Sequence, residues 1–445
     1  MRIHYFIAGA ANMYCGSCLR DNALAAELIA QGHQVLLLPL YTPIRTDEPD
    51  VSQHHIFFGG LSVYLEQRVP WLRRGPRFLD KLWDSFPLLQ ILSRLSIRTD
   101  PHSLGALTVS ILRGEEGNQR REFEKLLEWL VTQPRPDVVV LPFSLLIGLA
   151  APLKRALGCA VCCSLQGEDL YLDGLDEPYR SQSLELIRRQ IPSVDAFLPV
   201  CDYYATFMRG YLGLPGEKIH VTPLGINLRG YPESPRPPGG PFRLGYLARV
   251  TPEKNLHTLA AAYAHLRNEN RLPPSRLQVA GYLAPDCRSY LREVQLQMRG
   301  AGLESEFEYR GELTRAEKIA FLRELHVFSV PGSYPDPKGL SVLEAMACGV
   351  PVVQPRHGAH PEMLARTGGG LLFEPGNVTA LAGAIESLWK DAQLATSLGR
   401  AGFEGTRRHY SISDVAARAA EVYARVASAA SAALSAPVRS ADRMS

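Results

Sequence analysis

The chain has 445 residues, of which 46% are hydrophobic and 21% charged, and its formal net charge is +3. That length predicts two domains with sizeable cores, and the near balance of charge, with no helix-turn-helix or RNA-binding motif, excludes a nucleic-acid binder. No apolar stretch reaches the roughly 18 residues that a membrane span requires.

In chain order, Met1-Arg-Ile-His-Tyr-Phe-Ile predicts a first strand over 2–7. Its apolar stretch is too short for a secretory leader, so the expected location is the cytoplasm. A loop rich in Gly, Ala and Cys runs through Cys18, a helix follows over 19–31, and 34–39 is an apolar strand. Strand, loop, helix, Gly, strand is a βαβ unit and implies a parallel sheet. The eight cysteines (15, 18, 159, 162, 163, 201, 287 and 348) lie in mostly apolar contexts. Without an export signal they are expected to be reduced, buried thiols. Cys15-Gly-Ser-Cys18 has the spacing of redox pairs and of half a zinc site, but no second C-x-x-C completes a four-Cys site. A tight turn lining a cleft is the expectation for it.

Residues 51–120 interrupt the alternation. Within them, 68–98 carry seven cations against two acids, with Trp71, Phe78, Trp83 and Phe86 interleaved. Alternation resumes with a helix over 121–133, a strand over 137–141 that runs into a helix, and a strand over 160–165. A helix over 182–190, a strand over 196–200 and a helix over 202–211 follow. Residues 229–241 contain five prolines and three glycines and read as a linker. Beyond it lie a strand over 243–246, a helix over 256–266, a strand over 276–280 and a helix over 289–299. The segment 307–310, a helix from Arg315 and a strand over 327–330 complete the pattern. The architecture predicted is α/β, two doubly wound Rossmann-like domains facing a cleft, with ligands at the C-terminal strand edges.

The most informative stretch is 331–362, PGSYPDPKGLSVLEAMACGVPVVQPRHGAHPE. Asp336 precedes a Pro-Lys338-Gly339 bend; Leu340 opens a short amphipathic run containing Glu344; Cys348-Gly349 closes it before the strand Val350-Pro-Val-Val353. Loop, helix N-terminus, helix and strand aim free backbone N–H groups at one crevice beside two carboxylates eight positions apart, which suits an anion carrying hydroxyls. Upstream, Arg249 and Lys254 stand five apart on a loop feeding a helix, the first able to bind a diphosphate bidentately and the second as a point charge.

Together these residues resemble the donor site of family 4 glycosyltransferases, whose motif is Glu, seven residues, Glu. Here Glu344 stands at the second position and Asp336, one methylene shorter, at the first. The resemblance implies the GT-B fold, a ribose contact for Glu344, a transferred-sugar contact for Asp336 and a diphosphate contact for Arg249 and Lys254. It also implies donor contacts for Lys338, Gly339 and Leu340. Tyr309-Arg310-Gly311-Glu312-Leu313 matches the family's Phe-x-Gly-x-Val segment against the nucleobase, which assigns Gly311 and Leu313 to donor binding. Of the family's Gly-Gly pair in the first loop only Gly16 carries over, and Gln166 stands where a His usually ends a strand. Gln166 can bond a sugar hydroxyl but cannot carry a proton at neutral pH. Glu168 and Asp169 either serve the site or cap the segment at Leu170, and Glu362 is expected to cap the helix that follows it.

The domains implied are 1–228 on the acceptor side, with the 51–120 insertion; the linker 229–241; 242–410 for the nucleotide-sugar; a crossing helix over 411–429; and a disordered tail over 430–445. The family retains anomeric configuration. No Asp-x-Asp run is placed to hold a divalent ion, so transfer without metal or other cofactor is expected. Expected partners are a nucleotide-sugar donor and a glycan, lipid-linked or small-molecule acceptor, with no nucleic acid. The segment 68–98 is expected to form a lid over the acceptor groove, the alternative being peripheral contact with the inner membrane face. Two other readings stay open: a non-catalytic nucleotide-sugar-binding protein, and a sugar phosphorylase or disaccharide synthase on the same fold.

Overall fold

The structure is a computed structural model that describes residues 1–9, 15–53, 101–235 and 239–435. Five parallel strands form the first sheet: β1 (Arg2–Ile7), β2 (Gln34–Pro39), β3 (Val138–Leu141), β4 (Ala160–Leu165) and β5 (Ala196–Pro199), in the order β2-β1-β3-β4-β5. β3 and β4 are buried along their whole length, as continuous apolar runs must be in a parallel sheet covered on both faces.

The second sheet contains β6 (Phe242–Leu247), β7 (Ser275–Ala280), β8 (Phe307–Tyr309), β9 (Val327–Phe328), β10 (Val352–Pro355) and β11 (Gly370–Phe373). Its order is β11-β10-β9-β6-β7-β8, again all parallel. Strand order reverses between β1 and β3 in the first sheet and between β6 and β9 in the second. At such switch points adjacent loops leave in opposite directions and open a crevice. The loop after β6 carries Arg249 and Lys254, and the loop after β9 carries Asp336, Lys338 and Gly339. The topology therefore brings together the two motifs that stand far apart in the chain.

The last helix, Ile412–Ser435, crosses back to the first domain. Ile412, Ala416, Ala419 and Tyr423 join Ile3, Tyr5, Val140 and Cys162 in one apolar cluster with the first helix, Gly16–Ala30. The crossing is stitched by two backbone bonds of 2.9 and 3.0 Å, Ile226 N–H to Tyr410 O and Ile412 N–H to Ile226 O. Gly225 permits the close approach, since a Cβ there would lie 2.9 Å from the Ile412 Cα.

Two expectations about segments are corrected. The helix Ile412–Ser435 carries the chain six residues into the stretch from Ala430 expected to be disordered; 436–445 lie outside the described residues. Part of the 51–120 insertion belongs to the first domain's core. Pro101–Leu112 is a helix that buries Val109 and Leu112, and its Gly105 packs against the Tyr179 ring. The basic, aromatic stretch 68–98 lies outside the described residues. Among the described residues no helix is long and apolar enough to cross a membrane.

Candidate functional site

At the β6/β9 crevice Lys254 Nζ is 2.5 Å from Asp336 Oδ2 and lies 5.0 Å from the centre of the Tyr334 ring. The other Asp336 oxygen accepts the Lys338 backbone N–H at 2.9 Å, and its carbonyl accepts Ala359 N–H at 2.9 Å. Burial would raise the Asp336 pKa, but the Lys254 and Lys338 ammonium groups outweigh it and hold the carboxyl well below the usual carboxylate range. Arg249 is less committed: its guanidinium is 3.8 Å from Glu253 and its side chain is 46% exposed. The crevice thus presents one fixed ammonium and one guanidinium that can move onto an anion.

Gly339 sits at φ 68° and caps the helix Leu340–Ala347. Only glycine adopts that left-handed turn without strain, and the turn leaves the amides of Leu340 and Ser341 with no partner inside the helix. Beside them Lys338 reaches into the first domain, its Nζ 2.6 Å from the Gln166 carbonyl and 3.1 Å from Ser17 Oγ. Gly16 begins the first helix, and a Cβ on it would meet nothing within 4 Å, so its backbone faces open space. The Gly311 carbonyl accepts Gly281 N–H at 2.8 Å, and a Cβ at Gly311 also would meet nothing within 4 Å. Leu313 is partly buried against the core.

Glu344 is placed differently. It is 7% exposed, and its carboxylate accepts from Lys318 on the helix Arg315–Arg323. Lys318 also bonds Asp47 of the first domain at 2.6 Å. Next to it Arg315 bonds Glu48 at 2.8 Å and the Asn227 carbonyl at 2.6 Å. Burial raises the Glu344 pKa, with Lys318 opposing. Burial alone would lower the Lys318 pKa, yet Glu344 and Asp47 together drive it above the ordinary lysine value. This inter-domain clasp was not foreseen. The acidic run Asp47-Glu48 and the capping-box helix behind Thr314 were visible in the sequence, but nothing in it paired residues 271 positions apart.

Four further side chains, Gln166, Glu168, Asp169 and Glu362, have these surroundings. The Gln166 side chain points inward, its Nε2 donating to Asp21 at 3.1 Å and to the Pro142 carbonyl at 3.1 Å, so the backbone carbonyl of Gln166, which accepts from Lys338, meets the crevice in place of its side chain. Glu168 is buried and ties loops together, accepting from Ser144 N–H and Oγ at 3.1 and 3.0 Å and from Gln166 N–H at 2.7 Å. Asp169 accepts the Tyr204 hydroxyl at 2.7 Å. Glu362 does not cap its own helix; it accepts the Asp202 and Tyr203 N–H groups at 3.2 and 2.7 Å and so caps the helix Asp202–Leu212 across the domain boundary.

Two buried histidines shape the acid response. Burial, aided at His4 by Arg2, lowers the His4 pKa from 6.5 to about 4. Burial does the same at His360, to about 4, although Asp336 opposes it. Unfolded imidazoles gain protons below 6.5 while the folded ones resist until about 4, so the unfolded state binds more protons in that window. Stability from each histidine is full above 6.5 and is lost as pH falls toward 4, by about 3 kcal/mol per residue. Buried carboxyls such as Asp21 and Glu344 titrate upward and act in the opposite sense. The clean measurement is therefore the difference in urea midpoint between wild type and His4→Leu. It should move in the variant's favour from pH 7 to pH 4.5, and a pH-independent difference would refute the assignment.

Comparison with known proteins gives the following. Residues 22–225 match the glycosyl transferase 4-like domain and residues 231–405 match the glycosyl transferases group 1. The chain is 29% identical over 264 residues to WcaL of Escherichia coli, by its name a colanic acid biosynthesis glycosyltransferase, covering 57% of this chain and 61% of that one. It is 30% identical over 211 residues to glycogen synthase of Mycobacterium tuberculosis, covering 47% and 49%. The matches thus span about half to three fifths of these relatives' length. In fold it is similar to sucrose-phosphate synthase of Thermosynechococcus elongatus, with TM-score 0.71, 17% identity and coverage of 96% and 99%. It is also similar to HepE of Anabaena, solved with UDP-glucose, with TM-score 0.65, 16% identity and coverage of 96% and 100%.

Proposed function

Since the chain belongs to the family 4 glycosyltransferases, we propose that it is a retaining glycosyltransferase that moves a sugar from a nucleotide-diphosphate-sugar to a glycan, lipid-linked or small-molecule acceptor. The observation that carries this reading is the Lys254–Asp336 pair beside Lys338 and the N-terminus of Leu340–Ala347, at the switch point of the second sheet. The diphosphate would lie on the free helix amides with Lys254 and Arg249 on its oxygens. Asp336 would receive hydroxyls of the sugar, and Glu344 those of the ribose once its bond to Lys318 is shared. Gly311 and Leu313 leave room for a flat base.

In the proposed reaction the acceptor oxygen bonds the anomeric carbon on the face from which the diphosphate departs. The bond from that carbon to the phosphate oxygen breaks, and a phosphate oxygen takes the acceptor's proton. No protein base is required, which fits a Gln166 side chain turned inward. Charge growing on the leaving group would be met by the fixed Lys254 and by Arg249 moving onto it, so the step is proposed to run without a divalent ion.

The test is nucleoside-diphosphate release from UDP-, GDP- and ADP-sugars across a panel of acceptors, with UDP-glucose first because HepE, similar in fold, was solved with it. Acceptor-dependent release is expected, with Glu344→Ala weakening donor binding by about tenfold or more through lost charge-assisted bonds. Donor binding without release for every acceptor would favour a binding protein, turnover of free phosphate would favour a phosphorylase, and absence of binding would end the proposal.

A further inference from the structure

The Cys15-x-x-Cys18 pair has no place in that reaction. Cys15 is the N-cap of the first helix and Cys18 its third residue, so the two side chains share one helical turn. Cys15 is partly exposed, whereas Cys18 is 1% exposed. The neighbouring Cys18 thiol, the amides of that turn and the Lys338 ammonium from the other domain all favour a charged Cys15 sulfur. That ammonium is anchored 3.1 Å away from Ser17 Oγ. We propose that Cys15 and Cys18 are a reversible dithiol–disulfide pair at the mouth of the inter-domain cleft, with Cys15 the attacking thiol.

Thiol reactivity follows thiolate content and access. The Cys18 thiol first, then Lys338 and the amides of Cys18 and Ser17, favour the thiolate against burial and hold the Cys15 pKa well below the ordinary thiol value. Cys18 is pushed the other way by Cys15, by burial and by Asp21. Buried Cys159, Cys201 and Cys348 are raised to about 12, chiefly by burial, and are inert by comparison. Exchange with a small-molecule disulfide RSSR balances without another reactant. The Cys15 thiolate bonds one sulfur and expels RS⁻. Cys18, giving up its proton, then attacks the Cys15 sulfur and expels the second RS⁻. The protein loses two electrons and RSSR becomes two thiols. Closing the ring removes the thiolate that Lys338 and the helix N-terminus otherwise serve.

The experiment reads thiol chemistry, not glycosyl transfer, so its failure and that of the proposed activity are distinguishable. The reduced full chain is titrated with oxidised glutathione and its peptides are mapped, and Cys15 alkylation by iodoacetamide is followed against pH. Expected are a Cys15–Cys18 disulfide reversed by dithiothreitol, a glutathione adduct trapped on Cys15 in Cys18→Ser, and none on Cys18 in Cys15→Ser. Alkylation of Cys15 should have its midpoint below that of an ordinary thiol, and Lys338→Met should shift it upward. No linkage between the two residues, an adduct on Cys18 in Cys15→Ser, or an ordinary alkylation midpoint would each overturn the proposal.

Discussion

Lys254→Met is expected to lower kcat by about 10²- to 10³-fold, the range typical when one preorganised charge partner of a developing anion is removed. Lys254 is held in advance by Asp336 at 2.5 Å and by the Tyr334 ring, so it need not reorganise as the leaving group gains charge. An interaction felt mainly in the transition state should depress kcat and kcat/KM together while leaving KM nearly unchanged. Arg249→Met, at the mobile cation, should act more on KM. The measurement is steady-state release of nucleoside diphosphate, and an unaltered kcat in Lys254→Met would remove the residue from the mechanism.

The second large effect is on stability and on the union of the domains. Lys318→Met leaves Glu344 and Asp47 facing each other, both nearly out of solvent. Breaking a buried ionic group by deleting one partner costs roughly 3–5 kcal/mol, because the remaining charge has no compensation. Urea denaturation should show that loss. The triple change Asp47→Asn, Lys318→Met, Glu344→Gln should recover much of it, because the uncompensated carboxylates are gone, while donor affinity stays impaired. An unchanged midpoint in Lys318→Met would show that the clasp contributes nothing.

Both sheets could be read from the sequence because strands buried on both faces appear as unbroken apolar runs, as in β3 and β4. The juxtaposition at the β6/β9 crevice could be read because its backbone demands particular residues: Gly339 at a left-handed turn, and charged Asp336 and Lys338 around it. What stayed hidden depends on partners chosen in three dimensions. Nothing in the sequence marks Lys318 as the partner of Asp47 and Glu344. Gln166 carried no mark of turning toward Asp21, and Glu362 none of capping a helix in the other domain. The helix Pro101–Leu112 escaped notice because its apolar residues lie all around it, with no charged face to reveal the period.

The crossing helix bears on how the molecule is made. Ile3, Tyr5, Val140 and Cys162 have part of their cover supplied by Ile412, Ala416, Ala419 and Tyr423. Domains ordinarily finish one after another as they leave the ribosome. Here part of the apolar flank of the half synthesised first, beside its own first helix, gains its remaining cover only when the last helix arrives. The lobe whose residues emerge earliest is therefore the one completed last.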